Sequence, residues 1–439
     1  MNAARRHASE PLEGCLELLR RRRGPAVPGF TTAVRQIVLV ASSSRGGSSM
    51  LVELLRRSRS LIHLRAELNP FLRLVGLCFP LTGDSDALDE GHWRSLPAGL
   101  RDVLDRELAL DAGRPCNVIE DEEEFVLDAA WRFATQWPDV ALDLDGWAAT
   151  ARRVLAHMGR GPFDPVRFQL EMLRALRRTG HAVSPWHYDL PRSLIRHAFP
   201  DVAEGCAPGG ALIEEPPFVL PRPWRRACRQ DVEASALVIK TPSNAYRMRF
   251  LRALFPAAQI RVIHLVRNPA AAINGLIDGW RHRGFHAHRL PEPLEIAGYA
   301  EQRPADRAWW KFDLPPGWRR HARSTLPEVC AFQWRSAHEA ILTDLERHEV
   351  DTRRVRFEDL TGGSASRAAS LDGLCDWLGV PFEGPLLEAA WTGIAPVMAT
   401  ERPRPGRWHA RASEVRAAID REVYATAERL GYGDEQCWS

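Results

Sequence analysis

Residues 36–55 read QIVLVASSSRGGSSMLVELL and join three kinds of local sequence in one short stretch. Ile37 to Ala41 are apolar and mostly β-branched, the pattern of a strand buried on both faces in a parallel sheet. From Ser48 to Leu55, apolar residues recur at helical spacing behind small hydroxyl residues that suit a helix N-terminus. The stretch therefore predicts a strand, a short turn and a helix.

The turn, residues 42–47, has the composition of an anion-binding loop. Glycines let the backbone approach a ligand closely, and the amides and dipole at a helix N-terminus favour negative charge. We therefore predict a phosphate-binding loop that consists of Ser44, Arg45, Gly46, Gly47, Ser48 and Ser49. A Ser/Gly-rich turn without a ligand is the alternative. An ATPase loop is disfavoured, because G-x-x-x-x-G-K-[ST] requires Lys where Gly47 stands.

Length and composition describe a globular chain. Its 439 residues suit one α/β domain with large insertions or two domains, with 45% hydrophobic and 26% charged residues. A net charge of +3 is too small to suggest a nucleic-acid partner. The 8 cysteines, which include no C-x-x-C pair, indicate buried thiols in a reducing compartment, without a disulfide framework or a zinc site.

The basic residues are almost all arginine. Of 59 Lys and Arg residues, only Lys240 and Lys311 are lysine. Chance is the simple explanation, but a retained lysine also suits a place that needs a compact point charge.

The first 35 residues predict a basic tail. A short helical stretch, Leu12 to Leu19, precedes an arginine run at 20–23 that we expect to be solvated. The tail lacks the apolar core of a signal peptide, and no segment has the ~20 apolar residues needed to span a bilayer. We therefore predict a cytoplasmic protein with no membrane partner.

Two more polar segments follow predicted strands. Residues 60–67 form a second strand that ends at Glu67, beside the loop, since ligands of open α/β sheets bind outside the carboxyl ends of the strands. There Glu67 suits a general base, and a surface carboxylate is equally probable from position alone. Further strands at 235–240 and 261–266 end at Lys240 and just before Arg267.

The segment from Phe71 to Ala234 interrupts this rhythm with successive helical patterns. We predict a helical insertion on the acceptor side, with an acidic run at 120–124 that begins a helix. The predicted domains are thus the tail 1–35, the α/β domain 36–70 and 235–439, and the insertion 71–234. The predicted fold is a P-loop-like parallel sheet of about five strands flanked by helices.

These motifs, in this order, resemble those of the PAPS-dependent sulfotransferases, especially the bacterial and tyrosylprotein-type branch. The resemblance covers about half the chain, as a rough estimate for short motifs, and rests on SSSRGGSS (42–49), KTPSN (240–244), FLRALFPAAQIRVIHLVRNP (250–269), VRFEDL (355–360), LCDWLGVP (374–381) and RPRPGRW (402–408). It implies 3′-phosphoadenosine-5′-phosphosulfate (PAPS) as donor, 3′,5′-adenosine bisphosphate as product, and no metal.

The resemblance also implies roles for single residues. The phosphosulfate would be held by Arg45, Gly47, Ser48 and Ser49, and the 3′-phosphate by Arg267 with help from Gly406 and Arg407. Lys240 would neutralise the leaving oxygen, and Glu67 would deprotonate the acceptor.

The chain departs from the family pattern at one position. Gly275 stands where the family usually has Ser, so that Asn274 would act as the donor or the 3′-phosphate would bind less tightly. Thr400 is a weak counterpart of the family's late active-site Ser.

Sulfuryl transfer, like phosphoryl transfer, depends mainly on positioning and on cations and amides around a charged transition state. The chemistry therefore suits these residue types. A small molecule, a glycan or a peptide tyrosine remain open as acceptors. A nucleotide-dependent phosphotransferase and a non-catalytic nucleotide-binding module are the alternatives. The histidines at 282, 286 and 288 indicate a mobile basic loop more than a zinc site.

Overall fold

The structure is a computed structural model of the whole chain. It describes residues 14, 18–19, 21–24, 26–65, 67–137, 140–159, 162–186, 190, 192–202, 220–282, 285–301 and 304–438. The predicted helix Leu12 to Leu19 lies largely outside these residues, as do Arg20 and the side chain of Cys437.

A seven-stranded sheet forms the centre of the fold. In spatial order it contains β4 (Trp224–Arg226), β3 (Ala112–Pro115), β2 (Leu61–Leu64), β5 (Ala236–Lys240), β1 (Gln36–Ala41), β6 (Gln259–Val266) and β9 (Thr352–Arg356). The run β2-β5-β1-β6-β9 is parallel throughout, whereas β3 and β4 pair in antiparallel fashion. The predicted α/β class and the sheet of about five parallel strands are confirmed, and two antiparallel strands extend the sheet.

The strand order explains where a ligand can bind. Strands β1 and β6 are neighbours near the centre of the sheet. After β1 the chain continues to β2 on one side of this pair, and after β6 it continues to β9 on the other side. Between two such strands the connecting loops diverge, which leaves a crevice at their carboxyl ends. Residues 42–47 follow β1 and Arg267 follows β6, so both flank this crevice.

Helices cover the sheet and extend the fold beyond it. They are α1 (Phe30–Ala33), α2 (Ser48–Leu55), α3 (Leu68–Leu74), α4 (Glu90–Ser95), α5 (Ala98–Asp111), α6 (Glu122–Gln136), α7 (Leu144–Met158), α8 (Pro165–Arg178), α9 (Arg192–Ala198), α10 (Arg229–Ala234), α11 (Met248–Leu254), α12 (Pro269–Arg281), α13 (Leu326–His348), α14 (Phe357–Thr361), α15 (Ser364–Leu378), α16 (Gly384–Thr392), α17 (Ala412–Ala418) and α18 (Arg421–Leu430). Helix α18 begins shortly after α17 because the Asp420 side chain caps a new helix start.

The segment 71–234 contains the expected helices, and α6 begins in the acidic run with Asp121 as its N-cap. Its helices α6 to α9 share an apolar cluster of their own, built on Phe133, Trp147 and Phe168. Two short strands in this segment, β3 and β4, were not predicted, and they join the central sheet. The predicted domain boundaries stay predictions.

The basic tail is not solvated throughout. Arg23 is buried, and its guanidinium donates to Glu107 Oε2 at 3.0 Å and to Asp128 Oδ1 at 3.4 Å. The expectation of a solvated arginine run is therefore wrong for Arg23, because two buried carboxylates of α5 and α6 recruit it.

The histidine-rich segment is also not a mobile loop over its second half. His288 lies in β7 (Ala287–Arg289), which pairs with β8 (Trp309–Lys311), and His286 directly precedes β7. Both imidazoles are buried, at 2% and 5% relative exposure for His286 and His288. The β-hairpin explains why this segment is ordered, since it belongs to an apolar cluster that also contains residues of α12 and α13.

Five cysteines have described side chains, and all five are free thiols. Cys330 and Cys375 are buried as expected, whereas Cys228 is exposed, so the expectation of buried thiols is wrong there. In the part of the chain that the structure describes, no helix combines the length and the apolar composition that a bilayer span requires.

Candidate functional site

The loop after β1 adopts a conformation that requires its glycines. Gly47 has φ +99° and precedes the first turn of α2, and a Cβ there would lie 2.1 Å from the Phe357 ring. A Cβ on Gly46 would lie 2.2 Å from Ser42 Oγ and 2.9 Å from the Ser43 carbonyl oxygen. Any side chain at either position would displace the loop, so the two glycines maintain its tight path.

Two hydroxyls of this loop have unused hydrogen-bonding capacity. The Oγ atoms of Ser42 and Ser43 are buried and have no hydrogen-bond partner among the described residues. Buried polar groups are normally paired, and those that are not call for a ligand, an ion or a water. With the first amides of α2 beside them, these hydroxyls form a site that suits an oxyanion.

Arg45 extends from the loop towards two other segments. Its Nε donates to the Gly275 carbonyl at 3.3 Å, its Nη1 donates to the Met398 carbonyl at 2.8 Å, and its guanidinium lies 4.9 Å from the centre of the Phe285 ring. Ser49 Oγ also contacts Met398, with 2.9 Å to the sulfur. The segment around Met398 therefore covers the loop, and an anion held by Arg45 and Ser49 would replace these contacts.

Arg267 lies directly beside this loop. Its Nη1 donates to the Arg45 carbonyl at 3.0 Å, and its guanidinium lies 4.6 Å from the centre of the Phe357 ring. Burial lowers the pKa of Arg267 from its ordinary value, Glu358 opposes this shift, and the nearby cation Arg407 adds to it. A guanidinium that is partly desolvated and close to another cation favours an anionic partner.

The other residues predicted for the 3′-phosphate gather on one face of α12. A Cβ at Gly275 would be 3.5 Å from Arg45 Cβ and 3.8 Å from Arg267 Nη1, which are ordinary contact distances, so this position lies directly beside both arginines. Arg407, which follows the left-handed Gly406, forms an ion pair with Asp278.

Arg411 was not predicted. It lies one turn beyond Arg407 and donates to Asn274 Oδ1 at 3.0 Å and to Asp278 Oδ1 at 2.6 Å. Nothing in the local sequence distinguishes it from the other arginines of the chain. Asn274 and the two arginines therefore meet at α12, where Asp278 pairs with both arginines and Asn274 accepts from Arg411.

Lys240 and Glu67 form a buried ion pair, with Lys240 Nζ on Glu67 Oε1 and side-chain exposures of 3% and 0%. Strand β5 places Lys240 opposite Val40 of β1, one residue before the end of β1. Glu67 is the N-cap residue of α3, and the α3 amide of Leu68 donates to Thr241 Oγ1 at 2.9 Å. The other carboxylate oxygen, Glu67 Oε2, is buried and has no hydrogen-bond partner among the described residues.

A second carboxylate approaches the loop from an unexpected direction. Asp313, two residues after β8, accepts from Ser44 Oγ at 2.5 Å and from Tyr246 Oη at 2.9 Å. Burial, with the neighbouring Asp86 adding to its effect, raises the pKa of Asp313 to about 6, although the Ser44 and Tyr246 hydroxyls act in the opposite direction. Tyr246 belongs to the turn that follows Lys240, so Asp313 connects that turn to the loop after β1.

The predicted residues thus form two groups at one edge of the sheet. Arg45, Arg267 and Gly275 contact one another, whereas the ion pair of Lys240 runs to Glu67. The four segments that carry them follow β2, β5, β1 and β6, which are neighbours in the sheet. Thr400 Oγ1 is buried without a described partner, two residues after Met398, and its role stays a prediction.

Within the described residues, no group of three or more His, Cys, Asp and Glu side chains is arranged to hold a metal ion. His286 and His288 lie close together, with ring centres 4.8 Å apart, and His288 Nε2 is 3.4 Å from Asp86 Oδ2.

Of the comparisons with known proteins, the one with solved structures found similar chains. No protein-family model matches the chain, and no curated protein matches it. Among solved structures, the chain is similar to the sulfotransferase domain of an olefin synthase from Synechococcus PCC 7002, with 16% identity, a TM-score of 0.33, and coverage of 91% of this chain and 95% of that one.

Two mycobacterial structures are similar to the same degree. Sulfotransferase STF9 from Mycobacterium avium has 14% identity and a TM-score of 0.37, with 97% of this chain and 85% of that chain covered. Sulfotransferase STF1 from Mycobacterium tuberculosis H37Rv has 11% identity and a TM-score of 0.35, with 96% and 82% covered. At these scores the likeness carries no argument about function, which rests on the residues of this chain.

Proposed function

We propose that this protein is a sulfotransferase that moves a sulfuryl group from PAPS to an acceptor hydroxyl. The observation that carries the proposal is the row of functional groups at the ends of adjacent parallel strands: Glu67 beside β2, Lys240 on β5, the loop after β1, and Arg267 after β6. Such a row offers a base, a leaving-group cation and two anion sites in the order that an in-line transfer needs.

The anion sites suit a nucleotide with two phosphate positions. The loop, with Arg45 and the buried hydroxyls of Ser42 and Ser43, would hold the 5′-phosphosulfate, because these hydroxyls have no hydrogen-bond partner among the described residues and the loop leads into the amino end of α2. Arg267, with Asn274 and Arg407 nearby, would hold the 3′-phosphate. Met398 contacts both Arg45 and Ser49, so its segment would close over the bound donor after giving up these contacts.

In the transfer, the acceptor oxygen forms a bond to sulfur while the bond from sulfur to the bridging phosphate oxygen breaks. The acceptor proton passes to Glu67 Oε2, the carboxylate oxygen without a described partner. Lys240 neutralises the oxygen that leaves with the bisphosphate. The ion pair holds Lys240 and Glu67 together at the carboxyl ends of neighbouring strands. In the transfer, Glu67 has to face the acceptor side of the sulfuryl group and Lys240 the leaving-group side.

The acceptor belongs to the class of hydroxyl compounds, and we place its binding surface on the side of Glu67. A small molecule, a glycan and a peptide tyrosine all fit this proposal. Neither a nucleic acid nor a membrane is part of it. The competing phosphotransferase reaction lacks support at Gly47, where a Walker lysine would be required.

A calorimetric comparison of nucleotides tests the donor class. We expect 3′,5′-adenosine bisphosphate to bind more tightly than AMP or ATP and to raise the unfolding midpoint, since a ligand at 100 times its Kd stabilises the folded state by about 2.7 kcal/mol. Magnesium and EDTA should not change the result. Equal affinity for AMP and the bisphosphate would overturn the assignment, and tight ATP binding that needs magnesium would favour a phosphotransferase.

A further inference from the structure

Asp313 is a buried carboxylate that contacts the phosphate-binding loop and the turn after Lys240 at the same time. Its Oδ1 accepts from Ser44 and its Oδ2 from Tyr246, and the residue is 1% exposed. The Asp313 carbonyl accepts from Trp310 Nε1 and from Gln333 Nε2, both at 2.9 Å. The backbone of Asp313 is thereby fixed, and the carboxylate cannot turn away from Ser44 without losing both hydroxyls.

The charged groups around Asp313 do not neutralise it directly. Asp86 is the charged group that acts on Asp313, in the direction that raises its pKa, and Asp86 Oδ2 accepts from the Leu314 amide at 3.0 Å. Arg247 and His288 face Asp86, at 3.4 Å from its Oδ1 and Oδ2. Further titratable groups on the elements around it include Tyr246 after β5, Lys311 on β8, Arg45 on the loop, and buried His286, whose carbonyl accepts from the Phe312 amide. With two hydroxyls as its direct side-chain contacts, Asp313 shares its site with Asp86, a like charge.

The protonation state of Asp313 decides what Ser44 can do. A hydroxyl carries one proton, and an ionised carboxylate can only accept. Ser44 therefore gives its proton to ionised Asp313 and offers only lone pairs to any other group. When Asp313 is protonated it can donate to Ser44 Oγ, and the Ser44 proton becomes available to an oxyanion in the loop.

We propose that Asp313 is a positioning residue that sets whether Ser44 repels or donates to an anion in the phosphate-binding loop, so that anion binding takes up a proton at Asp313. The inference rests on the proposed function, because it takes the loop as the site of the donor's phosphosulfate. The proton comes from solvent, goes to the carboxylate oxygen that faces Ser44, and returns when the bisphosphate leaves.

The uptake has a measurable consequence. The pKa of Asp313, about 6 because of its burial, would rise further in the complex, since an anion nearby disfavours the ionised carboxylate. Above pH 6, anion affinity then falls by up to about tenfold per pH unit, and below that value it levels off. Catalysis would show the same dependence in the KM for the donor more than in kcat.

The test is calorimetric titration of the full-length protein from pH 5.5 to 8 in two buffers with different heats of protonation. Two probes are used, inorganic sulfate and 3′,5′-adenosine bisphosphate. Sulfate does not titrate in this range, so any proton taken up with sulfate belongs to the protein. For the bisphosphate, whose phosphates titrate near pH 6, the comparison with variants removes the ligand's own contribution.

Three variants separate a positioning role from a structural one. Asp313→Asn has a permanent amide donor towards Ser44, so we expect tight binding at every pH and no proton uptake. Ser44→Ala should bind about tenfold more weakly than the wild type below pH 6, where Ser44 would donate to the anion, and its pH slope should be shallower because only the direct repulsion from Asp313 remains. Tyr246→Phe keeps the Ser44 contact, so its slope should persist and move to higher pH, because the ionised carboxylate loses one donor.

Each outcome is decisive. Binding that is independent of pH in the wild type, or the wild-type slope in a folded Asp313→Asn variant, overturns the role of Asp313 and leaves the proposed function standing. If Asp313→Asn does not fold, the wild-type proton uptake and Ser44→Ala decide the question. Suppose that proton uptake on sulfate binding depends on Asp313, while AMP and the bisphosphate bind with equal affinity. This result supports the positioning role of Asp313 and overturns the proposed donor class. No binding of either anion overturns both.

Discussion

Asp128 and Glu67 are both buried carboxylates, but they differ in how many of their oxygens have a cation or a hydrogen-bond donor as partner. Asp128 on α6 is 2% exposed and receives three arginines: Arg132 Nε at 2.8 Å and Arg65 on Oδ2, and Arg23 at 3.4 Å on Oδ1. Glu67 is equally buried, but it has a single cation, Lys240, on one oxygen. Its second oxygen has no hydrogen-bond partner within the described chain.

The difference separates a structural cluster from a candidate reaction site. Burial raises the pKa of Asp128, but the three arginines more than reverse this, so its pKa lies well below the ordinary value and the charge is stable. Such a saturated cluster has no atom left for a substrate. The Glu67 pair has both a free acceptor and a cation at the end of a parallel strand, which is where substrates of α/β folds bind.

The largest effect should come from removing Glu67, the proposed base. We expect Glu67→Gln to reduce sulfuryl transfer by about 10²–10⁴-fold, because general bases contribute this much and an amide cannot take the acceptor proton. The measurement is release of bisphosphate from PAPS in the presence of a panel of phenols, sugars and tyrosine peptides. Donor affinity should change little.

Asp128→Asn is the matched control, since it makes the same change in the other buried carboxylate. It should leave the rate per folded molecule near that of the wild type. A Glu67→Gln enzyme that transfers sulfuryl groups at the wild-type rate would remove Glu67 from the mechanism, and the contrast between the two carboxylates would lose its meaning.

The control variant carries the second prediction. Asp128→Asn leaves Arg23, Arg65 and Arg132 without their shared charge, and breaking a buried ion cluster costs about 3–5 kcal/mol. Urea unfolding should show this loss as a lower midpoint. Glu67→Gln should lose less free energy of unfolding than Asp128→Asn, because only one ion pair is broken and Lys240 lies near the end of its strand. The reverse ranking of the two variants would contradict our comparison.

The contrast between the two carboxylates also marks what the sequence allowed us to predict. The positions of Glu67, Lys240 and Arg267 could be predicted because each lies at or just after the end of an apolar strand, and the ends of parallel strands meet at one edge of a sheet. The roles of Lys240 and Arg267 came from the family resemblance. The apolar runs likewise located β1, β5 and β6. These are local signals that depend on few residues.

The remaining features depend on contacts between distant parts of the chain. Asp313 reaches Ser44 from 269 positions away, and Met398 reaches Arg45 from 353 positions away, with no local pattern to indicate either contact. Strands β3 and β4 were missed because AGRP and WRR are too short, and contain too much Gly, Pro and Arg, to show an alternating pattern. Arg23 looked like part of a solvated run until buried carboxylates were seen around it.

The third prediction concerns the second anion site. Arg267→Ala should weaken binding of 3′,5′-adenosine bisphosphate by up to about 100-fold, since a charge-assisted bond to a buried group contributes about 1.5–3 kcal/mol. AMP affinity should hardly change, because AMP lacks the 3′-phosphate. Isothermal titration measures both.

Arg354→Ala provides the comparison for this variant. Arg354 is an exposed arginine on the neighbouring strand β9, and its Nη1 donates to the Arg429 carbonyl. It should bind both nucleotides as the wild type does. Equal losses for AMP and the bisphosphate in Arg267→Ala would place Arg267 outside a 3′-phosphate site and would leave Arg45 as the main anion contact.

The smallest effect should come from buried groups that are kept neutral. His264 Nε2 and His338 Nδ1 lie 3.0 Å apart inside the core, and burial, with Arg354 adding to it, lowers the pKa of His338 to about 3. Because the unfolded chain binds this proton near pH 6.5, stability is complete above that pH and is lost as the pH falls towards 3. The loss through His338 should reach about 2 kcal/mol at pH 5, from 1.36 kcal/mol per pH unit.

Urea unfolding from pH 8 to 4.5 measures this slope. His338→Phe should flatten it, because no imidazole remains at that position to take up a proton, whereas His157→Gln, a change at an exposed histidine, should keep the wild-type slope. The buried histidines then differ from Asp128 in a specific way: they are stable in the core only while uncharged, and Asp128 only while charged. A wild-type slope in His338→Phe would show that the acid sensitivity originates elsewhere, with buried His63 as the next group to substitute.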